Sequence, residues 1–171
     1  MALIVETGAI VPGAESYISV ADCDIYHGNR NNALWTGATA VKEAALRKAT
    51  SYIDNKYLPR WLGFRKEYNQ PLRWPRGGVP VADSALGSLA YLDNDTIPPQ
   101  LKDATCEAAI RFLSGDLAPD LKRGGRVSSI NVGGIQQSFE QGASPNTLYQ
   151  IIDQLLAPLL AQSGGITLVR G

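Results

Sequence analysis

The sequence has few of the residues on which most catalytic sites depend. It contains two cysteines, Cys23 and Cys106, and one histidine, His27, in 171 residues. Two cysteines do not make a disulfide framework, and so few thiols are typical of a reducing compartment. A Ser-His-Asp triad would have to use His27, and no G-x-S-x-G motif is present. We therefore expect no enzymatic activity.

An excess of charge and a long apolar run are also missing. Lys+Arg and Asp+Glu both number 16, so the formal net charge is zero. A protein that held nucleic acid by bulk electrostatics would carry a basic excess. No apolar stretch approaches the roughly 18 residues of a membrane span, and the first residues lack the basic segment of a signal peptide. The sequence predicts a soluble intracellular protein with no membrane partner.

Cys23 and His27 form a C-x-x-x-H pair on one helical face. A zinc site needs four protein ligands, or three and a water, and two ligands do not make one. Cys106 could add a third ligand, but nothing in the spacing requires it. The alternative is a packed thiol and a surface imidazole. We therefore expect no metal. The glycine-rich runs lack the G-x-G-x-x-G and Walker patterns, so we expect no phosphate-containing cofactor either.

Apolar periodicity and capping residues predict a mainly α fold, a small bundle of about four helices with a β-hairpin and extended terminal arms. Ser19 and Asp22 resemble a capping box. Pro158 should kink or end the last helix, because it lacks an amide proton. We expect the helices to run from Ser19 to near Gly28, from Thr39 to Pro59, from Pro98 to Gly115, and from Ser144 to Pro158.

The hairpin is predicted in residues 126–140, "RVSSINVGGIQQSFE", with a turn at Gly133-Gly134. Its register sets Val132 opposite Ile135. We expect one connector-type domain over residues 1–171. It would comprise an N-terminal arm (1–18), a helical core (19–160) with a long loop (59–97) and the hairpin, and a C-terminal tail (161–171).

A basic and aromatic stretch runs from Lys56 to Arg76. It holds six basic residues and one acidic residue, a formal charge of +5, with Trp61, Phe64, Tyr68 and Trp74 interleaved. Single-strand binders combine aromatics that stack on bases with cations that follow phosphates. The same residues could instead form a core or a protein interface. "LKRGGR", residues 121–126, is a second basic cluster. The candidate interface or DNA contacts are Arg65, Lys66, Arg73, Trp74, Arg76, Lys122, Arg123 and Arg126.

"QPLRWPR", residues 70–76, places Trp74 between two prolines. Pro71 and Pro75 fix the backbone on either side, so the indole is presented in a set direction at low entropic cost. We expect Trp74 to be buried, either in its own core or against an adjacent subunit, with Arg73 and Arg76 beside it.

Four segments in this order carry a resemblance to a known family: "VETGAIVPGAESYISVADCDIYH", "KEAALRKATSYIDNKY", "QPLRWPR" and "PDLKRGGRVSSINVGG". They resemble tailed-phage and prophage proteins labelled DnaT-like single-stranded-DNA-binding proteins. That family in turn is similar to the head-to-tail connector, or adaptor, proteins of tailed phages. The resemblance covers roughly residues 3 to 160.

The resemblance implies a structural virion protein at the neck, assembled in the host cytoplasm. Such subunits form a homo-oligomeric ring, usually of twelve copies, on the portal protein. The ring extends a channel for double-stranded DNA and docks the next neck or tail protein. The alternative is a single-stranded-DNA-binding accessory protein of replication. The resemblance supplies no catalytic residue.

Overall fold

The computed structural model describes residues 1–81, 84, 90–118, 129–132, 135–138 and 149–161. These residues form four α-helices, which confirms the predicted mainly α class. No described helix is both long and apolar enough to cross a membrane. The helices are α1 (Val20–Asn29), α2 (Thr39–Lys56), α3 (Pro99–Ser114) and α4 (Gln150–Leu156); the strands are β1 (Phe64–Arg65), β2 (Arg76–Gly77), β3 (Ser129–Val132) and β4 (Ile135–Ser138).

The first helix begins as the capping residues predict. The Ser19 hydroxyl accepts a hydrogen bond from the Asp22 amide at 3.1 Å, and it donates to the Asp22 carboxylate at 2.7 Å. The bond to the amide satisfies one of the donors left unpaired at a helix start. The Asp22 carboxylate bonds to the Ser19 side chain instead of the backbone amide that a capping box would use.

The sequence favours Thr39 as the N-cap of the second helix, and this prediction is wrong by one residue. Thr39 is the first residue of α2, and Ala38 occupies the N-cap position without a side-chain hydrogen bond. Apolar residues recur at three- and four-residue steps from Val41 to Tyr57 and predict one buried stripe; most of them are buried, including Ala45, Ala49 and Ile53. Val41, at 51%, and Ala44 are exposed, and Tyr52 is half-buried. The apolar stripe of α2 therefore begins at its exposed first turn, before the part of the helix that packs in the core.

The core lies where α3 packs between α2 and α4, with α1 packed on α2 and α3. Pro98 precedes α3 at the N-cap and Pro99 is its first residue. The α4 helix ends at Leu156 and gives way to a 3-10 turn, Ala157–Leu159, which confirms the expected effect of Pro158. The predicted start of this helix at Ser144 lies outside the described residues.

Residues 1–18 contain no helix, as expected of an extended segment, but they lie against the chain itself. Glu6 is 1% exposed, and its carboxylate accepts hydrogen bonds from the amides of Gly8, Ile10 and Val11 at 2.8–3.0 Å. Arg47 of α2 donates to the Met1 carbonyl at 2.9 Å. The buried carboxylate therefore organises a tight loop that fastens this segment to the helices.

The hairpin has the predicted register. Val132 pairs with Ile135 and Ile130 with Gln137 in an antiparallel two-stranded sheet. The predicted C-terminal tail, residues 161–171, lies outside the described residues except for Ala161.

Candidate nucleic-acid interface

The basic loop, residues 57–76, leaves α2 and returns towards the helices through a short ladder. β1 and β2 are antiparallel, with Phe64 opposite Gly77 and Arg65 opposite Arg76. The sequence did not predict these strands, because two residues are too few to show an alternating pattern. This two-residue ladder joins the two ends of residues 66–75, which form the tip of the basic loop.

The base of the basic loop is fastened to the end of the C-terminal helical segment. Trp61 forms an isolated bridge with Leu160. The amide of Leu62 donates to the Leu159 carbonyl at 3.1 Å, and the amide of Ala161 donates to the Arg60 carbonyl at 2.7 Å. The position of the loop therefore depends on residues about one hundred positions away in sequence.

Trp74 is buried in the core of its own chain, at 0% exposure. Its ring meets Trp61 edge to face, with centroids 5.9 Å apart and planes at 83°, which is a favourable geometry for two aromatic rings. Trp61 is itself only 7% exposed. Neither indole can stack on a nucleic-acid base, and the expected burial of Trp74 is met within the subunit.

A buried Tyr–Asp pair fixes the backbone on which Trp74 sits. The Tyr17 hydroxyl donates to Asp54 at 2.6 Å and accepts from the amides of Arg73 and Trp74 at 3.1 and 3.2 Å. The Arg73 amide also donates to Asp54 at 3.1 Å. Burial raises the pKa of Asp54 to about 6, although these hydrogen bonds favour its ionised form. Burial also raises the pKa of Tyr17 well above its ordinary value.

Arg76 links both sides of the basic loop. Its guanidinium donates to the carbonyls of Leu62 and Gly63, both at 2.7 Å, and to that of Arg73 at 3.4 Å. The side chain is 8% exposed, and burial lowers its pKa. A planar guanidinium suits this task because it presents several donors in a fixed fork. Arg76 is therefore a structural residue, contrary to the candidate role as a contact.

Gln70 and Arg65 brace the tip of the basic loop. The Gln70 amide group donates to the carbonyls of Leu72 and Pro75 at 2.9 and 3.0 Å, and its oxygen accepts from the Glu67 amide at 2.9 Å. Arg65 donates to the Gln70 carbonyl, while its Nε is buried without a partner among the described residues. The tip is thus held from inside, and its remaining side chains project outward.

Two aromatic side chains of the basic loop are exposed, Phe64 at 67% and Tyr68 at 95%. The Phe64 ring lies against the backbone of Gly77 and Gly78; a Cβ built on Gly78 would be 2.9 Å from the ring. Only glycine leaves room for the ring there. One edge of the ring therefore rests on the protein while the rest is accessible.

The cations of the basic loop form no ion pair within the described part of the chain, although Arg65, Arg73 and Arg76 lie close enough to Asp54 to interact with its carboxylate electrostatically. Lys56, at the end of α2, pairs with Asp153 at 3.2 Å. From residue 57 to 76, five basic residues and one acidic residue give a formal charge of +4. None of the five (Arg60, Arg65, Lys66, Arg73 and Arg76) forms one of the described ion pairs, which all join helix residues or the N-terminal segment.

The candidate contacts from the sequence therefore divide into three groups. Trp74 and Arg76 are buried scaffold residues, and Arg65 is partly engaged. Lys66 is exposed, and Arg73 is half-buried with a guanidinium that has no hydrogen bond or ion pair to a described residue. The second basic cluster, with Lys122, Arg123 and Arg126, lies outside the described residues. Phe64 and Tyr68 were not among the contacts predicted from the sequence, although both belong to the aromatic residues noted in this stretch.

The fold and the loop define a small, mainly α domain with an aromatic and locally basic surface. A family model described as "Putative DnaT-like ssDNA binding protein" matches residues 1–171. The protein belongs to this family. Comparisons with curated proteins and with solved structures gave no match.

Proposed function

We propose that this protein binds single-stranded DNA through its basic loop. The observation that carries the proposal is the exposure of Phe64 and Tyr68 among cations that form none of the described ion pairs. The description of the family supports the same function. Single strands suit this surface, because their bases are free to stack on a protruding ring.

Stacking would come from the exposed rings and charge from their neighbours. Tyr68 stands at the tip of the loop, and Phe64 rests on a glycine backbone that cannot close over it. Lys66 lies between them in sequence, and Arg73 and Arg60 are partly accessible. Because the cations form one local patch on a neutral chain, binding should be modest and restricted to this face.

The direct test is the affinity for a fluorescent oligonucleotide measured by anisotropy at low salt. Each stacked base contributes about 1–3 kcal/mol, so Tyr68→Ala should weaken binding by about 5- to 150-fold. The three accessible cations, Arg60, Lys66 and Arg73, predict a slope of log affinity against log salt of about −2. Tyr68→Ala is informative because an almost fully exposed side chain contributes little to the fold.

Matched variants separate this surface from general stickiness. Leu34→Ala removes an apolar side chain that is 69% exposed outside the basic loop, and it should leave binding unchanged. Lys66→Ala should weaken binding and reduce the salt slope, whereas Lys102→Ala on α3 should do neither. Equal effects at the two lysines, or no oligonucleotide binding at low salt, would refute the proposal.

A second candidate is the head-to-tail adaptor that the motif series implies. The hairpin of β3 and β4 is a two-stranded sheet of its own among the described residues, and such a hairpin is marginal in water without a partner. In an adaptor, that partner would be a neighbouring subunit or the portal protein, and the chain would be a non-enzymatic part of the virion neck. Native mass spectrometry or electron microscopy with the matching portal tests this. A chain that ignores the portal at high concentration would exclude it.

A further inference from the structure

Three potential metal ligands meet in the core, away from the basic loop. Cys23 and His27 come from α1 and Cys106 from α3, and their ligand atoms all lie within 4.8 Å of one another. Their exposures are 0%, 1% and 0%, and both cysteines are free thiols. Sequence spacing paired only Cys23 with His27; the packing of α3 on α1 brings in the third ligand and buries the imidazole that was expected at the surface.

The hydrogen bond of His27 leaves one ring nitrogen available for a metal. Nε2 lies 3.2 Å from the carbonyl oxygen of Cys106. A carbonyl only accepts, so Nε2 carries the proton and Nδ1 holds a lone pair. Nδ1 is buried and has no hydrogen-bond partner among the described residues. Metal-binding histidines commonly have this arrangement, in which one nitrogen donates to a carbonyl and the other binds the ion.

We propose that Cys23, His27 and Cys106 bind a Zn²⁺ ion. Zinc bonds of about 2.0–2.3 Å in a tetrahedron set ligand atoms about 3.5–3.8 Å apart. The three atoms, which lie within 4.8 Å of one another, therefore need to approach by about 1.3 Å at most. The two sulfurs and one nitrogen suit this borderline-soft ion.

The site has a route to solvent and a consequence for the fold. His27 lines a surface pocket of about 240 Å³, through which an ion could enter and a water could supply the fourth ligand. The ion would join α1 to α3, because two ligands belong to one helix and one to the other. An ion that binds the folded chain and not the unfolded chain raises the free energy of unfolding.

The test uses the full chain, purified with reductant and stripped of metal with a chelator. At free Zn²⁺ of about 100 times the dissociation constant, Tm should rise by about 5–10 °C. Mass spectrometry under native conditions should find about one ion per chain. Co²⁺ should give the intense visible bands of a tetrahedral site and a thiolate charge-transfer band, a readout that needs no variant.

Variants then locate the site. Cys23→Ser, Cys106→Ser and His27→Gln should each lose the Tm rise, judged against the Tm of the same variant without metal, while Lys102→Ala keeps it. If a serine variant fails to fold, the cobalt spectrum of the wild-type chain still decides. Absence of a thiolate band, retention of metal in the cysteine variants, binding of Cu(I) but not Zn²⁺ under anaerobic conditions, or a Cys23–Cys106 disulfide in the isolated protein would each overturn the proposal.

Discussion

Removing the Tyr17 hydroxyl should test how the basic loop is held. In Tyr17→Phe, Asp54 loses its side-chain donor, and the Trp74 amide loses the oxygen to which it donates at 3.2 Å. A hydrogen bond to a charged group contributes about 1.5–3 kcal/mol, and a buried unsatisfied amide costs about 1–3 kcal/mol. Because the two effects share one site and overlap, we expect unfolding to become easier by about 3–5 kcal/mol at pH 7.5.

The same substitution should have a pH dependence that Asp54 determines. The folded pKa of Asp54, about 6, is raised above its ordinary value of 3.8 by burial. The folded state therefore binds the proton more tightly, and the contribution of Asp54 to stability is full below about pH 4 and is lost as pH rises through 6. In the wild-type chain this loss is about 3 kcal/mol. The Tyr17 hydroxyl offsets part of the cost of the ionised carboxylate, so its removal should cost more at pH 7.5 than at pH 5.

Urea unfolding followed by tryptophan fluorescence measures both quantities. With a slope of about 1–3 kcal/mol per molar urea, the midpoint should fall by at least about 1 M at pH 7.5. Comparing wild type with variant at each pH cancels the titration of the other groups. Tyr91→Phe is the control, because that side chain is 59% exposed, and it should change stability by less than about 0.5 kcal/mol. A cost below about 1 kcal/mol for Tyr17→Phe, equal at the two pH values, would refute the reasoning.

Two further substitutions test the contacts beside the β1–β2 ladder of the basic loop. Arg76→Lys should destabilise the protein by about 2–4 kcal/mol in urea unfolding, because one ammonium cannot reach the carbonyls of both Leu62 and Gly63. The control, Arg60→Lys at a half-exposed position, should be nearly neutral. An equally small effect of Arg76→Lys would contradict its structural role. Gly63→Ala should lower Tm by several degrees, because Gly63 has φ of +65° and a Cβ there would lie 2.2 Å from the Gly77 carbonyl oxygen; an unchanged Tm would show that β1 and β2 do not depend on this close approach.

The helices were largely predictable because their signals are local. Ser19 caps α1 through an amide three residues away, and Pro158 ends α4 by its own missing proton. The errors also have local causes. Thr39 can begin a helix as well as cap one, and Val41 continues the apolar stripe of α2 although it is exposed among the described helices.

The candidate site was predictable only as a segment. Charge and aromatic content mark residues 56–76, but they cannot tell a stacking ring from a core ring, since both use the same residue types. Trp74 is buried where the Trp61 ring packs edge to face against its ring and the Tyr17 hydroxyl accepts from its amide. Phe64 is 67% exposed where its ring lies over Gly77 and Gly78, which have no side chains to cover it.

The sequence by itself determined the helical class, the hairpin register and the neutral charge with one basic stretch, because each follows from neighbours within a few turns of chain. Only the tertiary structure decided which cations and rings of that stretch reach solvent. It alone brought Cys106 to Cys23 and His27, because α3 is some eighty residues away along the chain. Which rings of a loop are buried, and which distant side chains meet as ligands, depends on contacts between segments far apart in the sequence.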